Sequence, residues 1–463
     1  MPRVTARDVA VRALGRVERA GAYSQLALSG EADRAALEPA ARGLATELLY
    51  GTLAWRGRLD AALARFARKA LAKLDPRALD AMRVGAYQLL FLDEVEDGMA
   101  VSAAVAQVRA ATGPALAGVA NAILRAVARA RAAGELDAAA FAALGPEAEL
   151  SAPAWLYARW TARAGAAAAR AELLAANDRP LLHVRANVPR ASVAALAAAL
   201  RAAGAEVTPL RSPDGLALRG LPAPFAHASF ASGHWTAQDD GAQLVSRLLA
   251  PAPGARVLDA CAGTGGKTMH LAALAGPEAT IVAADVSPGK LEVLGREAAR
   301  LGATNVRTVA TDLSVTAAAA NPDLRAAAGD APFDAVLLDA PCTGLGTIRR
   351  HPEVKWRRTA ADIAAAAARQ RALLDAVATA VRPGGVLVYA VCSPEPEEGP
   401  LVVADFLARN PGWRRAHAAG VPGVDWAGLA DADGALVTSI AIHGCEAFHA
   451  AKLVAPAPEE KKP

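Results

Sequence analysis

One stretch limits the choice of fold more than any other: Val257-Leu258-Asp259-Ala260-Cys261-Ala262-Gly263-Thr264-Gly265-Gly266-Lys267-Thr268. A β-branched, apolar run ends in an acid and opens into glycines, and a helical pattern follows through Met269, Leu271 and Leu274. Strand, glycine loop and helix in that order build a nucleotide-type site. Glycines admit a ligand close to the backbone, and the new helix offers its free N–H groups. The tail Gly-Gly-Lys-Thr imitates a phosphate-cradling P-loop, but that pattern needs a glycine five residues before Gly266, where Cys261 stands. The other reading asks for an acid at the end of the next strand, about 20 residues on. Ile281-Val282-Ala283-Ala284-Asp285 supplies it, 19 residues after Gly266. Loop and spaced acid together predict a Rossmann-like domain holding an adenosine ligand, with Asp285 at the ribose hydroxyls.

A chain of 463 residues has room for several cores. Residues 1–140 carry only helical periodicity. Thr5 with Asp8 reads as a capping box, and Asp75-Pro76, Asp97-Gly98 and Gly113-Pro114 mark breaks, which predicts an all-α bundle. Residues 145–225 alternate short apolar runs with helical pieces, a small α+β module. From 226 to 455 strand and helix alternate, with strands expected at 256–260, 280–285, 306–310, 333–339 and 386–391; this is the pattern of a parallel sheet with helices on both faces. Residues 456–463 are charged and proline-rich, and we expect them to be disordered.

Composition excludes little. A net charge of +4 is compatible with nucleic acid without requiring it. The cluster Arg56, Arg58, Arg65, Arg68, Lys69 and Lys73 reads either as a solvated helix face or as a contact for RNA backbone. No run of 18 apolar, uncharged residues occurs, so no membrane span is expected. Four cysteines, at 261, 342, 392 and 445, form no CxxC pair, which points to no structural metal and to a reducing cytosol.

The expected fourth and fifth strands end in chemistry. One runs Val336-Leu337-Leu338-Asp339-Ala340-Pro341-Cys342 and the other Tyr389-Ala390-Val391-Cys392-Ser393. If the strands are neighbours their ends lie about 5 Å apart, and both sulfurs can reach one substrate atom. An acid, a proline-turn thiol and a second thiol beside an adenosine site suit carbon methylation of a pyrimidine. C5 of cytosine is too poor a nucleophile to take a methyl group from a sulfonium donor directly. A thiolate added at C6 makes an enamine whose C5 can attack, and a proton then leaves C5 before the thiolate departs. Asp339 would bond the N3–N4 edge of the base. An exocyclic amino methyltransferase would place an aromatic after the turn, where this chain has Cys342. Chemistry alone leaves open which cysteine attacks. The strip Arg349, Arg350, Lys355, Trp356, Arg357 and Arg358 reads either as a solvated loop or, from its place directly after the Cys342 loop, as a group that contacts phosphates and stacks a nucleotide, and the second is expected.

The chain resembles the Sun-type RNA cytosine-C5 methyltransferases, and within them the bacterial 16S ribosomal RNA methyltransferase B group. The resemblance rests on residues 333–347, on Arg350-His351-Pro352-Glu353-Val354-Lys355-Trp356, and on Tyr389-Ala390-Val391-Cys392-Ser393. The pieces Glu47 to Leu53, Gly85 to Leu92 and Val119 to Arg125 resemble the group's NusB-like RNA-binding domain. The resemblance implies an all-α NusB-like bundle, a small α+β module and a Rossmann-like methyltransferase domain. It implies that Cys261, Ala262, Gly263, Thr264, Gly265, Gly266, Lys267 and Asp285 bind S-adenosylmethionine. Asp312 would lie by the adenine, and Asp339 would face the donor's methionine end and the cytosine. Cys392 would be the nucleophile and Cys342 would help release the product. The partner implied is 16S rRNA, and we expect a monomer in the cytoplasm. Where the family loop reads Ala-Pro, Gly263-Thr264 stand here. A different class follows if that change abolishes donor binding: an RNA-binding or ribosome-assembly factor carrying a methyltransferase-like scaffold.

Overall fold

The computed structural model describes residues 4–457; of the tail expected to be disordered, 458–463 lie outside the described residues. The chain forms two compact units. One takes in the residues through Arg179 together with Ile348–Arg358, and the other takes in Pro180–Thr347 and the chain from Thr359 onward.

The first unit is helical. Thr5 and Asp8 form the expected capping box ahead of helix Ala6–Ala20. Pro76 and Pro114 each open a helix, where the missing N–H would have had no partner. Leu14, Leu48, Leu49, Leu53, Met82, Leu89 and Leu124 meet in one apolar core. A Cβ at Gly85 would stand 2.8 Å from the Ala104 Cβ, so helices Pro76–Phe91 and Asp97–Thr112 approach closely only because residue 85 lacks a side chain.

The second unit begins with a small antiparallel sheet of strands β1 (Leu182–Ala186), β2 (Glu206–Pro209), β3 (Gly215–Arg219) and β4 (Trp235–Ala237), in the order β2-β3-β1-β4. Helix Val193–Ala202 lays Leu196 and Leu200 on Val184, Leu216 and Leu218. Strand β4, drawn from beyond residue 225, is too short for an alternating pattern to announce it. Within this unit Asn187 Nδ2 donates to Leu301 O at 2.9 Å, and Asp214 takes both Arg247 and His270, which tie the small sheet to the larger domain.

That domain is built on five parallel strands: β5 (Arg256–Asp259), β6 (Thr280–Asp285), β7 (Val306–Ala310), β8 (Phe333–Asp339) and β9 (Val381–Val391). All five fall on the runs read from the sequence, although β9 begins at Val381, five residues before its expected start. Three further strands complete the sheet: β10 (Arg414–Ala416), β11 (Leu436–Val437) and β12 (His449–Val454). The order is β10-β12-β9-β8-β5-β6-β7, with β11 on β12, and β12 lies antiparallel to β9. Strand β5 therefore sits between β6 and β8, where the crossovers part to opposite sides and leave a crevice at the carboxyl ends. Among the described residues no helix is long and apolar enough to cross a membrane.

Candidate active site

The glycine loop turns back over the end of β5. Ala262 N donates to Ala284 O at 2.9 Å, and Gly263 N donates to Asp285 Oδ2 at 2.9 Å, so the loop is fastened to β6 by the acid that the sequence spacing singles out. Ser287 N takes the other oxygen of Asp285 at 2.9 Å. Gly265 has φ +92°, and a Cβ there would stand 2.6 Å from Leu294 Cγ; both the backbone and the close packing demand glycine. Helix Gly266–Ala275 begins at once, with its first N–H groups at the crevice.

A cavity of about 270 Å³ lies there, lined by Gln238, Ala242, Asp259, Cys261, Ala262, Gly263, Thr264, Gly266, Lys267 and Asp339. It brings together most of the loop residues named from the sequence with Asp339. Asp285 and Asp312 do not line it: Asp285 stands behind the loop it fastens, and Asp312 is exposed beyond β7. Lys267 Nζ lies 2.6 Å from Asp339 Oδ2. Burial opposes the charge on Lys267, but the Asp339 carboxylate outweighs it and holds the ammonium above its ordinary pKa.

Three lining residues escaped the sequence reading as site groups, Ala242 and the polar Asp259 and Gln238. Burial, with the Asp339 charge adding to it, pushes the Asp259 carboxyl up to about 7 against a bond from Thr268. Asp259 Oδ1 and Gln238 Nε2 are buried without a hydrogen-bond partner, one acceptor and one donor in the same cavity wall. Asp259 was visible as the acid that ends the strand. Gln238 precedes a helix with no motif around it, and nothing in the sequence marks it.

The neighbouring strand ends carry the thiols. β8 and β9 pair with Asp339 opposite Ala390, and the Sγ atoms of Cys342 and Cys392 lie 3.2 Å apart. The contact with Cys342, then burial, and then the Asp339 charge hold the Cys392 thiol well above its ordinary pKa. At neutral pH Cys392 therefore rests as a thiol, and attack by it requires a change in its charge environment. The stretch 443–448 reaches the same place: Ala447 N donates to Gly346 O at 2.9 Å.

The basic strip corrects an expectation. Residues 348–358 belong to the helical unit, and four of the six named groups grip its backbone. Lys355 is fully buried, with Nζ 2.9 Å from Ala54 O and 2.5 Å from Asn177 Oδ1. Trp356 Nε1 donates to Leu53 O at 3.2 Å beneath Arg56, and Arg357 donates to Val17 O and Ala22 O at 2.7 and 2.5 Å. Arg349 donates to Asp178 O at 3.2 Å. Ala54 and Leu53 close one helix and Val17 lies in the last turn of another, so these groups cap the orphan carbonyls that every helix end leaves. The cluster at 56–73 divides likewise. Arg56 pairs with Glu18, Arg58 lies over Trp55 and Phe141, and Arg65 pairs with Glu135, while Arg68, Lys69 and Lys73 are exposed.

A sheet whose switch-point cavity adjoins paired thiols at the next strand ends is the architecture of an α/β methyltransferase domain. Three family models match the chain: the NusB family over residues 4–129, a ferredoxin-like domain of RsmF/B-like methyltransferases over 152–222, and 16S rRNA methyltransferase RsmB/F over 246–454. The ribosomal RNA small subunit methyltransferase B of Pseudomonas putida is 36% identical over 422 residues, 88% of this chain and 90% of that protein. A probable methyltransferase of the same name from Synechocystis is 33% identical over 415 residues, 89% and 91% of the two chains. The chain belongs to the RsmB/F methyltransferase family. The solved structure of PH0851 superposes with a TM-score of 0.78 at 25% identity, covering 98% of this chain and 99% of that one. The structure of NSun6 from Pyrococcus horikoshii with SFG shares the fold, at 22% identity and a TM-score of 0.56 over 66% of this chain.

Proposed function

We propose that this protein methylates C5 of a cytosine in 16S rRNA, with S-adenosylmethionine as donor and a covalent Cys392–C6 adduct as intermediate. The observation that carries the reading is the contact between the Cys342 and Cys392 sulfurs beside Asp339. The names of the curated relatives supply the RNA, and SFG, an analogue of the donor, accompanies the archaeal relative.

The cavity suits the donor. The unpartnered Asp259 Oδ1 matches an ammonium and the unpartnered Gln238 Nε2 a carboxylate, the two charges of an amino-acid end. Cys261 to Lys267 lie along the same ligand, Asp285 keeps acceptor capacity for ribose hydroxyls, and Asp312 takes the adenine side. The donor when bound supplies an electrophilic methyl group on a cationic sulfonium, and that positive charge lowers the cost of ionising Cys392.

Cys392 Sγ, as thiolate, bonds to C6 and shifts the electron pair to C5, which takes the methyl group. Asp339 holds the N3–N4 edge and stabilises the adduct. Cys342 accepts the C5 proton as the C6–Sγ bond breaks, which restores the ring and the Cys392 thiolate. The exposed Arg68, Lys69 and Lys73 are the cations of the helical unit best suited to RNA phosphates.

The test is a denaturing gel of Cys342→Ala protein incubated with S-adenosylmethionine and a 16S rRNA transcript or small-subunit particles, beside wild type and Cys392→Ala. A slow RNA-linked band in the first lane alone is expected. A band with Cys392→Ala instead reverses the two roles, and product mass spectrometry placing the methyl on N4 or on ribose rejects the chemistry.

A further inference from the structure

Two loops carry the thiols, and one buried carboxylate holds both. Thr343 directly follows Cys342 and Ser393 directly follows Cys392. Glu398 is 0% exposed. Its Oε1 accepts from the Thr343 backbone N–H at 2.7 Å and from Gln370 Nε2 at 3.1 Å. Its Oε2 accepts from the Thr343 hydroxyl at 2.5 Å and from the Ser393 hydroxyl at 2.5 Å. Gln370 Nε2 also donates to Pro341 O, just before Cys342, at 2.9 Å.

Four donors thus meet a group that, ionised, offers about four acceptor sites and no proton. A carboxylate is tolerated away from water only when it is hydrogen-bonded in this way. Glu398 is itself fixed to the strand that leads into Cys392, because Tyr389 of β9 donates its hydroxyl to Glu398 O. The two loops also share one backbone bond, from Gly346 N to Cys392 O at 3.0 Å. Loss of the carboxylate therefore loosens the thiol spacing without parting the loops.

We propose that Glu398 is a positioning residue that holds Cys342 and Cys392 at one working separation, acting through Thr343 and Ser393 and touching neither sulfur. The proposal rests on the reading that the two thiols act on one base. It adds that their spacing is set from the buried side, by a residue outside the reacting set. Addition at C6 and proton removal at C5 demand sulfurs placed independently of where the RNA settles, which a common anchor behind both loops provides.

The spacing can be read without RNA. Full-length protein is equilibrated with reduced and oxidised glutathione, and the Cys342–Cys392 disulfide is counted by peptide mapping. Two protein thiols and one oxidised glutathione give one protein disulfide and two reduced glutathiones, so the equilibrium reports the effective concentration of one thiol at the other. Glu398→Ala is expected to lower it by about tenfold or more, and Glu398→Gln, which keeps the size and one acceptor oxygen, by less. Should the alanine variant fail to fold, Ser393→Ala and Thr343→Val each remove one arm, and each is expected to lower it about threefold. A folded Glu398→Ala protein with an unchanged value overturns the proposal, as does a wild type that forms no such disulfide. Cys342→Ala protein is then incubated with S-adenosylmethionine and RNA. If the glutathione result is as expected but Cys342→Ala yields no RNA adduct, the clamp stands and the cytosine reading falls.

Discussion

Lys267 and Asp339 form an ion pair of 2.6 Å across the mouth of the crevice, joining the first turn of the helix after the glycine loop to the end of the fourth parallel strand. The ammonium is the cation that balances Asp339 and the buried Asp259 behind it. Lys267→Met leaves both acids without it. We expect single-turnover methyl transfer to fall about 100-fold, roughly 3 kcal/mol in the barrier. Transfer within threefold of wild type would show that Asp339 needs no such partner.

Gly265 and Gly263 both have positive φ, at +92° and +56°, but only the first is crowded. A Cβ at 265 collides with Leu294, whereas one at 263 meets nothing within 4 Å. Gly263→Ala should cost about 1–2 kcal/mol for the left-handed backbone alone. Gly265→Ala adds overpacking of about 1–3 kcal/mol. Thermal melts of the two variants should rank them in that order, and equal shifts would remove the argument from packing.

Asp259 has a folded-state pKa of about 7 against an ordinary 3.8. Between those values the folded protein binds a proton that the unfolded chain has released, so the Asp259 contribution to stability falls as pH rises. Asp259→Asn removes this titration. The melting temperature of the variant minus that of wild type should climb from pH 4.5 to 7 and then level off. A difference flat across that range contradicts the burial of this charge.

Lys355 gives the opposite slope. Burial drops its pKa from 10.5 to about 7, so between these values the unfolded chain holds the extra proton and stability rises with pH. Wild type should therefore gain on Lys355→Met between pH 7 and 10 in chemical denaturation. No gain would mean that the amine stays charged in the fold.

The parallel strands were legible because most of them carry a short apolar run, and the alternation with helical pieces puts their carboxyl ends on one edge. Strand β12 was not: His449-Ala450-Ala451-Lys452-Leu453-Val454 follows no crossover helix and shows no clean alternation, and it is a strand because the edge of β9 was open to it. The cysteine pair could be read from matching strand ends. The basic strip could not, since charge does not reveal its partner; Lys355 and Trp356 find theirs at a helix end some 300 residues earlier in the chain. Gln238 and Glu398 show the same limit from another side, because a single polar residue acquires meaning only from the atoms that converge on it.

The enclosure of residues 348–358 by the helical unit bears on the order in which the protein is made. Ala54 and Asn177 leave the ribosome well before Lys355, the group that fills the space between them. At ordinary rates of chain growth, the 179 residues from 180 to 358 take roughly 10–40 s to synthesise. Through that interval the first-made unit waits without one of its own buried pieces. When Lys355 does arrive, the Cys342 loop has already emerged ahead of it. Completion of the oldest part of the molecule thus falls after the first thiol of the pair has emerged and before Cys392 has.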